Sequence, residues 1–439
     1  RPEVKRKLVE TGLLMPTLQM IFRASNRHLT DPKQYLTGKA HPTVFEGAWV
    51  NDLKMIQLAH EIELKNIPPL ARRIVVLNQA DTPELRATAS AMAETLLLHF
   101  DAVVVASLSA GGLASAVASV EVAVGGARIG REQVAALLAE ARRSIDEPEG
   151  RTILHAQPAL YLLDRDTPVL DPHGFHAARL GLEIHVVTAD TPPIRNLDQV
   201  VRNAHLGIHA IVASPVAAGM AVLVEEERDL GVALVDLGAG VTSVSVWARG
   251  QLTAIASLPT GGQDITDDLA AAFATRRASA EKLKCMHGSA TLTASDNHAQ
   301  LEIAPIAADD APETLRVTRA QVAHVIRARL AQQFAQVGEA LDAMGFTGPH
   351  GRRVVLTGGG AELAGIAEYA QGALGRQARI GRPRELAAMA NGAPLAALAT
   401  LWGLARYAAA DPDDLWTLAE HHARRSAEGA GRSPFARVA

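Results

Sequence analysis

The sequence predicts an α/β protein, and three observations carry that expectation. Two short apolar, β-branched runs at 73–77 and 101–106 bracket a helical stretch over about 83–98. Strand, helix and strand of this length make a βαβ pattern, which implies parallel pairing. Residues 233–247 read as an apolar strand, an acid, a small-residue turn and an alternating strand, hence a β-hairpin. Residues 352–376 read as a buried strand running through three glycines into a helix. At 439 residues, the chain has room for about two to four structural units of ~100–200 residues each.

Composition narrows the function classes. Hydrophobic residues make up 48%, enough for buried cores. Aromatics are only 4% and the net charge is −4, so neither a base-stacking surface nor a basic field invites nucleic acid. The one cysteine, Cys285, excludes an internal disulfide framework and any multi-cysteine metal site, and fits a reducing cytoplasm. No apolar run reaches the ~18 residues of a spanning helix. The opening Arg1 to Lys7 is not followed by a signal-peptide core. With no initiator Met, the start is expected to be incomplete.

In chain order, 8–23 has helical character interrupted by Pro16, and 31–47 is a loop. Residues 51–64 repeat apolar positions at helical spacing, and Pro68-Pro69 punctuates the chain. After 108, Ala118, Val120, Val122 and Val124 alternate as in a strand, and 132–145 is a helix facing inward with Val134, Leu137, Leu138 and Ala141. Residues 151–223 are mixed α/β and proline-rich, 230–270 are hairpin then helix, and 276–312 are polar and irregular. Helices are expected at 318–345, 394–409 and 413–425, with 426–439 a flexible linker.

Four pieces carry chemistry. In the hairpin, Gly238, Ala239, Gly240 and Val241 let backbone N–H groups approach an anion, and Thr242 and Ser243 add hydroxyls. Asp236 beside them suits a metal-bound water, because hard cations prefer oxygen. Gly261-Gly262 opens a helix with Ile265, Leu269 and Phe273 on one face. Glu281 and Lys284, three apart on a helix, suit a ribose. Gly358-Gly359-Gly360 lets a flat base or a phosphate lie against bare backbone. Alone, each piece also fits a plainer reading: a hairpin with a capping Asp, a capped helix start, a solvated i,i+3 pair, and a generic strand–helix turn.

Their order is that of the actin–chaperone–sugar-kinase superfamily, and over roughly 106–425 the chain resembles FtsA, the bacterial actin-like cell-division family. The 234–247 hairpin resembles the second phosphate motif, and 354–363 the adenosine motif. Residues 106–113, the 118–124 strand and the 131–145 helix resemble the family's inserted 1C subdomain. Residues 154–158, 171–180 and 185–188 resemble the stretches that follow it. The resemblance implies an actin-like (ribonuclease H-like) two-lobed ATPase fold with a 1C-type insertion and an incomplete first lobe. It implies an atypical segment at 1–105, the 1C-like segment at 106–147 and the rest of the first lobe at 148–228. A second lobe follows at 229–410, with an insertion at about 256–330, and a terminal helix and tail at 411–439.

The same resemblance implies ATP and Mg2+ as cofactors. ATP would be held by Asp236, Gly238, Ala239, Gly240, Val241, Thr242, Gly261, Gly262, Glu281, Lys284, Gly358, Gly359 and Gly360, with Asp236 reaching Mg2+ through water. It implies self-polymerisation, binding of the FtsZ C-terminal tail, divisome contacts through the 1C-like segment, and a place at the cytoplasmic face of the inner membrane at the septum. The chain departs from the family in three ways. No Asp-x-Gly-Thr/Ser phosphate loop occurs in 1–105, and Ser214 stands before Pro215 where many actin-fold ATPases carry Glu. The expected activity is therefore at most a weak ATPase, with no catalytic residue assigned. The third departure is at the end, where only Phe435 and Val438 follow Pro434 beside Arg432 and Arg437, too little apolar face for a tethering helix. Bilayer binding by the chain as given is not expected. Within 1–105, Asn78-Gln79-Ala80-Asp81 is close to the base-reading turn of GTPases but also fits an ordinary strand end. His28, His41 and His60 match no metal template. The alternatives carried forward are an actin-fold small-molecule kinase and a pilus-assembly actin homologue.

Overall fold

The computed structural model describes residues 74–77, 103–109, 112–203, 207–304, 306, 315–387, 394–410 and 415. The expected helices at 8–23, 51–64, 83–98 and 413–425 lie outside these residues, apart from Leu415. So do the turn at 78–81, the three N-terminal histidines and the tail. The chain divides into two compact units, 1–213 with 404–439, and 214–403.

In the first unit, strands β1 (Ile74–Leu77) and β2 (Val103–Leu108) pair in parallel, Ile74 opposite Val103. β2 pairs in parallel with β7 (Gly207–Ala213). The parallel pairing expected from the βαβ pattern is therefore present. A second sheet has the order β3-β6-β4-β5. Its members are β3 (Ala114–Ala123), β4 (Arg151–Leu163), β5 (Thr167–Val169) and β6 (Arg179–Asp190), and all their pairings are antiparallel. Helix α1 (Arg131–Ser144) lays Val134, Leu137 and Ala141 onto this sheet. Ile153, Leu180, Leu182 and Ile184 complete that core, and Leu415 caps it, donating its N–H to the Ala156 carbonyl.

The 106–147 segment does not close by itself. Its strand pairs along its whole length with β6, and its helix shares a core with β4 and β6. Arg151 ties the base of this module, donating to the Gly112 carbonyl, Thr188 and Asp190. Helix α2 (Thr191–Asn203) follows β6. Pro192 and Pro193 fall in its first turn, where a missing N–H costs nothing. Its buried face is Ile194, Leu197, Val200 and Val201.

The second unit opens with α3 (Ser214–Val222), buried at every position but Met220. The compact boundary thus falls at 213/214, fifteen residues before the expected 228/229. A short helix α4 (Glu225–Leu230) precedes strands β8 (Val232–Leu237), β9 (Thr242–Ala248) and β10 (Gln251–Leu258). With β13 (Arg353–Thr357) and β14 (Gln377–Ile380) they run in the order β14-β13-β8-β9-β10. The first three are parallel to one another and the β8–β9–β10 pairings are antiparallel. Helices α5 (Gly262–Ala272), α6 (Arg277–His287) and the 25-residue α7 (Arg319–Ala343) pack together around Leu269, Leu283, Ile326 and Phe334.

The stretch expected to be irregular, 276–312, contains α6 and the first strand of an antiparallel hairpin, β11 (Gln300–Ile303) with β12 (Leu315–Thr318). The hairpin was hidden because each strand is only four residues long and half exposed. Helix α8 (Ile366–Leu374) joins β13 to β14, the short α9 (Arg384–Ala387) follows, and α10 (Ala399–Ala410) continues a 3-10 turn at Leu395–Leu398.

Candidate nucleotide site

All the candidate residues lie in the second unit, where the sheet sets two of the four pieces side by side and hydrogen bonds attach the other two. Because β13 runs parallel to β8 with Thr357 opposite Asp236, the triple glycine leaves its strand beside the hairpin acid. Gly358 has φ +84°, a conformation that favours glycine, and a Cβ there would stand 2.3 Å from Asp236 Oδ1 and 2.7 Å from the Leu237 carbonyl. A Cβ on Gly360 would stand 2.8 Å from Leu237 Cβ. The glycines therefore serve close packing of two turns as well as any ligand. Gly359 is exposed, with nothing within 4 Å of its Cβ position, so its open side is the one a ligand would use.

The helix opened by Gly261-Gly262 docks against the hairpin. Gly262 N donates to the Gly238 carbonyl at 2.9 Å and Gln263 N to the Ala239 carbonyl at 2.7 Å. A Cβ on Gly261 would meet the Ala239 carbonyl at 2.3 Å. These N–H groups are thus engaged in holding the turn. An anion would be met by the exposed hairpin tip, Ala239 and Gly240, and by the turn around Gly359. Val241 closes the hairpin, its carbonyl accepting from Gly238 N at 3.1 Å.

Asp236 is 8% exposed, and among the described residues its carboxylate accepts one hydrogen bond, from Thr400 Oγ1 at a long 3.4 Å. Burial pushes its carboxyl up from 3.8 to about 6, and the weak Thr400 bond offsets little of that. No cation balances it among the described residues, where no cluster of metal-ligating side chains occurs either. A hydrated divalent cation brought by a nucleotide would supply that charge.

Glu281 and Lys284 form an ion pair at 2.8 Å, both partly buried. Lys284 Nζ also lies 2.7 Å from the Gly262 carbonyl and from Thr266 Oγ1, and Glu281 accepts from Thr266. Burial raises the Glu281 carboxyl, but hydrogen bonds from Lys284 and Thr266 outweigh it and hold it below its ordinary value. The pair therefore clamps α6 onto the first turn of α5, and a ribose would have to share it. Thr242 is fully buried: its hydroxyl donates to the Thr260 carbonyl at 2.8 Å and accepts from Gln333 Nε2 at 2.7 Å. Its side chain holds the wall of the site. Thr266, Gln333 and Thr400 had no signal in the sequence, since a single polar residue in a helix marks nothing until its partner is known.

The family model for cell division protein FtsA matches residues 233–403, which include every candidate residue. The model for the SHS2 domain inserted in FtsA matches 111–188, the β3-to-β6 module. The cell division protein FtsA of Agrobacterium fabrum (strain C58) is 37% identical over 310 residues, covering 71% of this chain and 70% of its own length. That of Rhizobium meliloti (strain 1021) is 36% identical over 341 residues, covering 78% and 76%. Among solved structures, a PilM–PilN type IV pilus biogenesis complex aligns with a TM-score of 0.48 and 20% identity over 75% of this chain and 87% of that one. Family models that tile the SHS2 insertion and the second unit, and relatives that match most of the chain, agree: this chain belongs to the FtsA family of cell division proteins and has an actin-like α/β fold with an SHS2 insertion.

Proposed function

We propose that this chain is a cell-division assembly protein that binds ATP with Mg2+, self-associates, and links the FtsZ C-terminal tail to the cytoplasmic face of the inner membrane. The observation that carries the nucleotide part is the convergence of two glycine-lined turns on Asp236, a buried carboxylate without a countercharge among the described residues. The hairpin tip at Ala239 and Gly240 would take phosphates, the Gly358–Gly360 turn the adenosine, and Asp236 would hold a metal-bound water. Gly238, Val241, Thr242, Gly261 and Gly262 shape that cradle, with Glu281 and Lys284 at its rim.

Family membership supports the partners: self-association, FtsZ, and other divisome proteins through the SHS2 module. It leaves the small-molecule kinase and pilus-assembly alternatives without an observation of their own. Among the described residues no helix is long and apolar enough to cross a membrane. Titration calorimetry of the full chain with ATP and Mg2+ tests the nucleotide reading. Binding that Asp236→Ala and Gly359→Val both abolish supports it, and no heat from the unaltered chain overturns it.

A further inference from the structure

Helix α7 presents a buried stripe of Val322, Ala323, Ile326, Leu330, Gln333, Phe334, Val337 and Leu341. One member is out of character. Gln333 is 2% exposed, yet it carries an amide in a row of apolar side chains. A buried amide is costly unless hydrogen-bonded, and a leucine would continue the stripe without that cost. The amide has a specific partner, Thr242 Oγ1 at 2.7 Å, and that hydroxyl in turn donates a hydrogen bond to the Thr260 carbonyl at 2.8 Å.

The two ends of this relay matter. Thr242 is the first residue of β9, directly after the Gly238–Val241 turn, and Thr260 directly precedes Gly261. One hydroxyl thus ties together α7, the hairpin and the turn that opens α5. Otherwise the hairpin tip is held against α5 by the Gly262 N to Gly238 O and Gln263 N to Ala239 O bonds. One turn earlier on α7, Arg329 grips Asp268 of α5 through two bonds of 2.6 and 2.7 Å. The helix therefore holds both walls of the site, through Gln333 to the hairpin and through Arg329 to α5.

We propose that Gln333 is a positioning residue of the nucleotide site: acting through Thr242, it sets the hairpin tip against the α5 turn and couples the position of α7 to nucleotide affinity. The inference rests on the nucleotide reading of that site. The test uses the full chain and measures the Kd for ATP with Mg2+ and the thermal midpoint for four variants. Gln333→Leu keeps the packing and removes the amide, Thr242→Val removes the relay, and a third variant combines them. Val337→Ala weakens the same stripe one turn further on and leaves the Gln333–Thr242 pair of side chains in place.

Loss of one buried hydrogen bond that aligns the site is expected to weaken binding about tenfold in Gln333→Leu and in Thr242→Val. The double variant should be no weaker than the worse single one, because both remove the same link. Val337→Ala should lower the midpoint and leave Kd unchanged. An unchanged Kd in Gln333→Leu, or an equal loss in Val337→Ala, overturns this inference alone. Failure of the unaltered chain to bind overturns the nucleotide reading and this inference with it.

Discussion

Asp236 carries a cost in stability that comes from its burial. Its carboxyl is pushed up by burial to about 6, above the ordinary 3.8 of an exposed aspartate. Below about pH 3 it is protonated in both folded and unfolded chains and costs nothing. As pH rises toward 6 the unfolded chain ionises first, so stability falls; above 6 the full penalty is present. That penalty is at most about 3 kcal/mol at neutral pH. Asp236→Asn should therefore be more stable than the unaltered chain at pH 7 to 8 and equal to it only near pH 3, as read by denaturant titration across that range. Its neighbours in the triple glycine should separate fold from function. Gly358→Ala forces a Cβ into the Asp236 carboxylate at positive φ and should cost about 3 kcal/mol, seen as a lower thermal midpoint. Gly359→Val points into open space, so it should leave the midpoint nearly unchanged while blocking nucleotide.

Among elements, Arg151 braces the base of the SHS2 module. Arg151 bonds Gly112 where the chain enters β3, and Thr188 and Asp190 where β6 leaves. A Cβ on Gly112 would stand 2.1 Å from Asp190 Oδ2, so entry and exit are pressed together. Arg151→Ala should speed amide exchange at 112–114 and 188–190 while the rest of the β3–β6 ladder and α1 stay protected. Hydrogen exchange with peptide-level readout checks this, and uniform loss of protection through α1 would contradict it. Elements were legible in the sequence where a pattern ran long enough. The hairpin at 233–247 and the helices at 132–145 and 318–345 match β8–β9, α1 and α7 closely. The β11–β12 hairpin was not legible, because two four-residue strands show too few alternations to rise above a polar loop.

For the whole molecule, a ligand that binds only the folded chain stabilises it by mass action. Saturating ATP with Mg2+, at a hundredfold over Kd, should add about 2.7 kcal/mol, and chelating the metal should remove most of it. If the chain self-associates as proposed, sedimentation velocity should show larger species with ATP and Mg2+ than without them. Unchanged sedimentation together with a raised midpoint would separate nucleotide binding from assembly.

By itself, the sequence determined the α/β class, the order of the glycine-rich turns around one acid, and the family that this order belongs to. Those features are local: a run of apolar residues, a turn's need for glycine and a helical period are each written in a few consecutive positions. Tertiary structure decided the rest. Asp236 and Gly358 meet only because β8 and β13 pair in parallel, and Gln333 meets Thr242 across 91 positions of chain. The strand at 114–123 finds its partner at 179–190, which carries the inserted module past 147. Periodicity encodes which face of an element is buried, but not which element buries it. A polar side chain on a buried face acquires its meaning only when the fold supplies its partner.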